Sequence, residues 1–470
     1  MNGFLDVLLD VFRQPSIIVA LISLIGLSVQ KKSFSDVLKG TVRTLVGFLV
    51  LAAGAGVVVG ALSPFGQMFE QAFNVQGVVP NNEAIVGQVL LEYGSAAALI
   101  FFFGMVVNIL LAATTRFKYI YLSGHVAFYM AAMIAVIMGV AGFDTWAVIL
   151  WGSIAQGLVM TLSPAIVQPF MRKVTGTDDV ALGHTGGAGI ALGGLVATLV
   201  RGKNPKSTED LVFPKGLGFL RDTTVIVALS MAVIYVIVTL FAGPAYIQAE
   251  LSDGQNYILF AVMQAATFSA GVFIILAGVR VVLAEIVPAF KGISERLVKG
   301  AKPALDVPIV FTFAPNAVLI GFLASFVGGI VGMVAMVFMG TAIIVPGVVA
   351  HFMTGAASGV IGNAAGGRRG AVVGAFVNGI AITFLPLLLL PVLGEIGFSN
   401  STFSDSDYGI VGLFLGWLSV GGGQIAVIAG IVVSLVAMYV VSFVFRNRAA
   451  KQDALPAETG SVTVTAVTAR

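Results

Sequence analysis

The stretch GVRVVLAEIVPAFKGISERLVKGAKPALDVPIVFTFAPNAVLIGF, Gly278 to Phe322, decides how the chain is read. Its two ends are apolar enough to lie in lipid. Its middle carries Lys291, Glu295, Arg296, Lys299 and Lys302, which cannot. Asp306 follows this basic loop, and Pro315 and Asn316 then interrupt an apolar run. A carboxylate or a helix breaker at membrane depth is costly, so both are functional candidates. The competing account of Asp306 is a carboxylate at the membrane boundary, paired with Lys302.

The rest of the chain has the same character. Of 470 residues, 58% are hydrophobic and 10% charged, with a mean hydropathy of +1.03. Soluble domains carry about a quarter charged residues. An all-α polytopic membrane protein is expected. Cysteine is absent, which excludes disulfides, a thiolate nucleophile and cysteine-bound metal. The three histidines, His125, His184 and His351, are too scattered for a metal motif. No cofactor, metal or nucleic-acid partner is expected. Asp6 and Asp10 precede Arg13, whereas a secretory signal begins basic, so the first apolar run is expected to stay as a span.

Apolar runs of about 20 residues cross a hydrocarbon core. They fall at 14–30, 42–62, 93–113, 122–141, 146–170, 222–246, 256–283, 304–324, 326–349, 371–394 and 424–445, giving eleven expected spans. With Lys31, Lys32, Lys39 and Arg43 inside, alternation places every later basic cluster inside too, through to Arg446. The opposite loops, 63–92, 142–145, 247–255 and 395–408, lack Lys and Arg but hold Glu70, Glu83, Glu92, Asp144, Glu250, Asp253, Glu395, Asp405 and Asp407. Only Arg13 breaks the positive-inside pattern, which puts the N-terminus outside and the C-terminus in the cytoplasm.

Residues 31–44 are amphipathic and basic, and suit either a segment lying on the cytoplasmic face or a helix end with snorkelling lysines. VALGHTGGAGIALGGLVATLV (180–200) is too apolar for a solvated loop and too glycine-rich for a span; a re-entrant segment fits both facts. No strand pattern precedes its glycines, so a dinucleotide fingerprint is excluded. Residues 350–370 have the same texture, and Gly421–Gly423 should separate a short helix from the last span. Ser35–Gly40 recurs weakly as Ser294–Gly300, which suggests two repeats with a binding site between them. Residues 446–470 are expected to be a disordered tail.

Polar groups inside the spans are few. His125 opens the fourth span, and His184 and Thr185 sit in the re-entrant segment. The glycines at 53–56 serve either a ligand or close helix packing. Asn81, Asn82 and Glu83 form either a gate or a solvated loop. His351 reads as a packing or interface residue. Such donors and acceptors, with a carboxylate, suit a polyhydroxylated solute whose hydroxyls must regain partners after desolvation.

These residues carry a family resemblance. KKSFSDVLKGTVRTLVGFLVLAAGAG (31–56), LSGHVAF (122–128), the Gly-His at 183–184, the block 278–306 and FAPNAVLIGF (313–322) resemble the ascorbate-specific enzyme IIC permeases of the bacterial phosphotransferase system. The resemblance implies a homodimer in the cytoplasmic membrane. Residues 1–445 would form one permease domain of two structural repeats, with a scaffold (V-motif) domain interleaved with a moving core domain. Separate IIB and IIA proteins would supply phosphate. It implies substrate contacts at Gly54, Ala55, Asn82, Glu83, His125, Tyr129, His184, Thr185 and Asp306. Familiar members carry glutamine where this chain has Tyr129 and Thr185, serine at Ala55, and a threonine–tyrosine pair at Asn82–Glu83. The implied substrate is therefore ascorbate or a related acid or polyol. The alternative is an ion-coupled transporter working without IIB.

Overall fold

The structure, a computed structural model, describes residues 15–74, 77–211, 223–398 and 400–453. Asp6, Asp10, Arg13, Arg221 and the tail beyond Asp453 lie outside the described residues, as do the side chains of Lys291, Glu295 and Arg296.

Helices dominate. They are α1 (Pro15–Val29), α2 (Phe34–Phe73), α3 (Asn82–Thr114), α4 (Gly124–Val140), α5 (Thr145–Thr175), α6 (Gly187–Leu199), α7 (Thr223–Ala242), α8 (Tyr257–Leu297), α9 (Pro315–Met339), α10 (Ala356–Leu389) and α11 (Ser406–Asp453). Among the described residues seven helices are long and apolar enough to cross a membrane, or up to eight if a pair bent by 98° at Gly243 is one span. The eleven expected runs map onto these unevenly. The second half of the run at 304–324 and the first part of that at 326–349 share one helix, α9, followed by a buried strand at Ile343–Ile344. Hydropathy measures apolarity and cannot separate a span from a strand buried inside protein. The helix α4 has only 17 residues and α6 only 13, the latter about 20 Å long against a core of about 30 Å.

Of the two forms expected for residues 31–44, the helix end is the one present: residues 34–44 are the first turns of α2, capped where Ser33 Oγ accepts the Asp36 N–H at 3.2 Å. The expected basic loop after 290 continues α8 as far as Leu297, because Glu, Arg, Leu and Lys all favour helix. The Ser35–Gly40 and Ser294–Gly300 segments thus start one helix and end another, so they do not occupy equivalent places. The expected tail is helical through Asp453. The break near 421–423 is present: Gly423 has φ 63°, ψ −157°. A matching break divides α10 at Gly367, with φ 66°, ψ −155°. Glycine holds such angles without a Cβ clash.

Among the described residues six short strands form two parallel three-stranded sheets, which the sequence did not suggest. One has the order β5–β1–β6 (β1, Gly77–Pro80; β5, Ile343–Ile344; β6, Ser401–Thr402). The other has the order β2–β4–β3 (β2, Tyr119–Tyr121; β3, Ala181–Leu182; β4, Lys302–Leu305). Each sheet takes its central strand from one half of the chain and both edges from the other. Exposed strand edges are not tolerated in lipid, and the residues of β1, β2, β3, β5 and β6 are all buried. Behind β3 and β4, Val167, Leu182, Ile190, Val307, Val318 and Val360 share one apolar cluster.

Candidate functional site

Three parallel strands end on the same side of their sheet and each hands over one ionisable residue. β2 runs through Ser123 and Gly124 to His125, β3 runs through Gly183 to His184, and β4 is followed directly by Asp306. The ladder continues past the strand ends: the Leu122 N–H donates to Ala304 O at 2.9 Å and the Gly183 N–H to Leu305 O at 2.7 Å. As a result Asp306 Oδ2 lies 3.5 Å from His125 Nε2, and Asp306 Oδ1 lies 3.9 Å from His184 Nε2. His184 is buried, whereas the His125 and Asp306 side chains stay 29% and 31% exposed. A ligand can therefore reach the carboxylate and one imidazole.

The His184 tautomer follows from its neighbours. The Gly186 N–H donates to Nδ1 at 2.9 Å, so in the neutral ring the proton sits on Nε2, towards Asp306. Asp306 Oδ1 accepts the Val307 N–H at 2.7 Å, which fixes the carboxylate's own rotation.

The free edge of β2 is held by a side chain. Asn108 on α3 accepts the Tyr121 N–H at 3.0 Å and donates to Tyr119 O at 3.1 Å and to Thr161 Oγ1 at 2.9 Å. A buried strand edge needs such a partner. Below β4, Asp178 accepts from Gln168 at 2.8 Å, from Arg172 at 2.7 Å and from Lys302. Lys302 thus pairs with Asp178. Partial burial alone would raise the Asp178 carboxyl, but the Arg172 and Lys302 cations and the Gln168 amide hold it below the usual carboxylate range.

The second sheet brings its strand ends to the same region. β1 leads into Asn81, Asn82 and Glu83 at the start of α3, where Asn81 Oδ1 caps the helix by accepting the Ala84 N–H at 2.8 Å. β6 leads into Ser404, Asp405, Ser406 and Asp407. Asn82 Oδ1 accepts the Ser404 N–H at 2.9 Å and its hydroxyl at 3.0 Å. Thr185 Oγ1 donates to Asp405 Oδ2 at 2.7 Å, and that oxygen lies 3.9 Å from His184 Nδ1. The two sheets meet along this line. Glu83, read as part of a gate or a solvated loop, and Asp405 and Asp407, placed in an outside loop, are 5%, 2% and 4% exposed. Acidic residues in a basic-free loop resemble surface; here strand pairing draws them inward.

Tyr129 is buried on α4, its ring edge-on to His125 at 6.0 Å and 82°. Its hydroxyl, like Glu83 Oε2, has no hydrogen-bond partner among the described residues. Gly54 lies where α2 crosses α8: a Cβ there would stand 2.7 Å from Ile275 N and 3.0 Å from Gly271 O. Ala55 follows it in α2, and its side chain lies outside the described residues. His125, His184, Asp306, Tyr129, Thr185 and Asn82 are thus linked by contact, directly or through Asp405 and Ser404, with Glu83 next to Asn82 in α3, while Gly54 stands at a helix crossing. His351 is buried elsewhere, with Nδ1 2.8 Å from Ser325 Oγ. Asn316 anchors the 208–211 segment, donating to Leu211 O at 2.8 Å, and Glu209 accepts the Asn316 and Ala317 N–H groups at the start of α9. Asn108, Asp405 and Asp407 were missed; a polar residue inside an apolar helix was the available signal for Asn108.

The chain is 26% identical to the ascorbate-specific PTS system EIIC component of Mycoplasma pneumoniae over 438 residues, an overlap of 82% of this chain. It spans 66% of that relative's length. The family described as the PTS system sugar-specific permease component, EIIC-GAT, matches residues 10–407. With that match running from α1 to the start of α11, and a helical membrane fold around it, the chain belongs to the EIIC-GAT family of PTS sugar-specific permease components.

Proposed function

We propose that the chain is the membrane subunit of a phosphotransferase system that takes up ascorbate or a closely related sugar acid or polyol. The observation that carries this reading is the single sheet that sets Asp306 between His125 and His184. An ionised carboxylate accepts two hydrogen bonds from vicinal hydroxyls, and charge-assisted bonds are about twice as strong as neutral ones. The His125 imidazole meets the enolate of an ascorbate-like anion, and the buried Tyr129 hydroxyl and Glu83 Oε2 supply further partners for hydroxyl groups. Asn82 and Thr185 shape the wall through Ser404 and Asp405, and Gly54 and Ala55 lie on the α2 side.

Transport proceeds by alternating access: a core domain holding the site moves against a scaffold domain that makes a homodimer contact. Two repeats are supported by the exchange of central strands between the sheets. The phosphate comes from a separate IIB protein, itself charged by IIA, in keeping with a chain that has no cysteine. The protein lies in the bacterial cytoplasmic membrane, N-terminus outside and C-terminus inside.

Uptake of labelled ascorbate by cells should need phosphoenolpyruvate and IIB, and the internal product should be a phosphate ester. Free ascorbate accumulating in cells without IIB would favour the second reading, an ion-coupled transporter. The buried carboxylates Glu83, Asp405 and Asp407 are what recommend that alternative.

A further inference from the structure

Helices α6 and α11 begin at Gly187 and Ser406, and their first turns touch. Each helix start carries unpaired amides and about half a positive charge, so two starts in contact repel unless something neutralises them. The turn from Ser404 to Asp407 does this. Asp407 Oδ1 accepts the Ala188 N–H at 2.7 Å, Asp407 Oδ2 accepts the Ser163 hydroxyl at 2.6 Å, and Ser406 Oγ accepts the Gly189 N–H at 2.8 Å. The contact runs both ways: the Asp407 N–H donates to Thr185 O at 2.7 Å. Asp405 adds the Thr185 hydroxyl on Oδ2 at 2.7 Å and the Ser404 hydroxyl on Oδ1 at 3.2 Å.

Two of these bonds hold Thr185, the residue that follows His184. Thr185 is held at its hydroxyl by Asp405 and at its carbonyl by Asp407. The next amide, Gly186 N–H, is then aimed at His184 Nδ1. With Nδ1 so occupied, the ring proton faces Asp306. The carboxylates also fill the anion-attracting ends of both helices, so an anionic substrate group is left to the exposed His125 side.

We propose that Asp405 and Asp407 are positioning residues: they clamp the His184–Thr185 turn and so set which nitrogen His184 presents to Asp306. The consequence for affinity rests on the reading of His184 as a substrate contact; the tautomer itself does not.

The test uses full-length protein in nanodiscs, labelled with 15N-histidine. Only three histidines contribute signals. Wild type should show His184 as a single Nε2–H tautomer. D405N and D407N should give a mixture of tautomers at His184 and leave His351 unchanged. T185V should act like D405N, and T185S, which keeps the hydroxyl, should act like wild type. In calorimetry D405N should weaken ascorbate binding on the order of tenfold. If D405N does not fold, the T185V and T185S pair decides. A single unaltered His184 tautomer in D405N and T185V overturns the proposal, even if melting temperatures fall. A wild type that does not bind ascorbate sinks the functional reading, yet the ligand-free tautomer comparison still decides this one.

Discussion

Asp306 Oδ2 stands 3.5 Å from His125 Nε2, although the two residues belong to opposite halves of the chain. The pairing exists because β2 and β4 run parallel and in register, Tyr119 to Lys302 and Tyr121 to Ala304. Replacing Asp306 with Asn keeps the shape and removes the charge. Calorimetry should show a loss of about 1–3 kcal/mol in ascorbate binding, and His125→Ala should lose a similar amount. His351→Ala removes a ring buried against Ser325. It should lower the melting temperature and leave affinity within about twofold. Wild-type binding by Asp306→Asn would place the site elsewhere.

Asn108 tests the idea that the sheet, not the helices, places His125. Asn108→Leu leaves the Tyr121 N–H and the Tyr119 carbonyl without their side-chain partner. Each buried group so orphaned costs about 1–3 kcal/mol. The melting temperature should drop and ascorbate affinity should fall with it. Destabilisation without loss of affinity in the folded fraction would show that β2 does not steer the site.

Asp178 makes a pH prediction. Its carboxyl is held below the usual range by the Arg172 and Lys302 cations and the Gln168 amide against a burial effect of opposite sign. A depressed carboxylate adds stability that is fully present above its unfolded value, about 4, and is lost as pH falls through the folded value. Asp178→Asn should therefore lower stability by the same small amount at pH 6 and pH 8, and flatten the loss seen below about pH 4. Its side chain is 41% exposed, so solvent screens much of the effect. Melting curves across that range check this; a mutant whose acid loss matches wild type would remove Asp178 from the account.

Topology offers a fourth test. A reporter active only in the cytoplasm should give signal when fused beyond Asp453. It should be silent at Asp253–Gly254, a turn of exposed residues after the 98° bend. The reverse pattern would invert the orientation drawn from lysine and arginine placement.

The amino-acid sequence was enough to establish a helical membrane protein, because hydropathy and the scarcity of charge are local properties. It was enough for the break at Gly423, since glycine runs announce themselves, and it pointed to His125, His184 and Asp306 through short motifs. It could not show that six strands of two to four residues exist. Such strands carry no periodicity of their own and are stable only when a partner from the other half of the chain pairs with them. Nor could it show that Asp405 and Asp407 are buried. Their neighbours in the chain are those of a solvated loop, and only contact with Ser163 on α5, with Thr185 and with the start of α6, more than 200 residues away, gives the carboxylates the long-range donors that make burial tolerable.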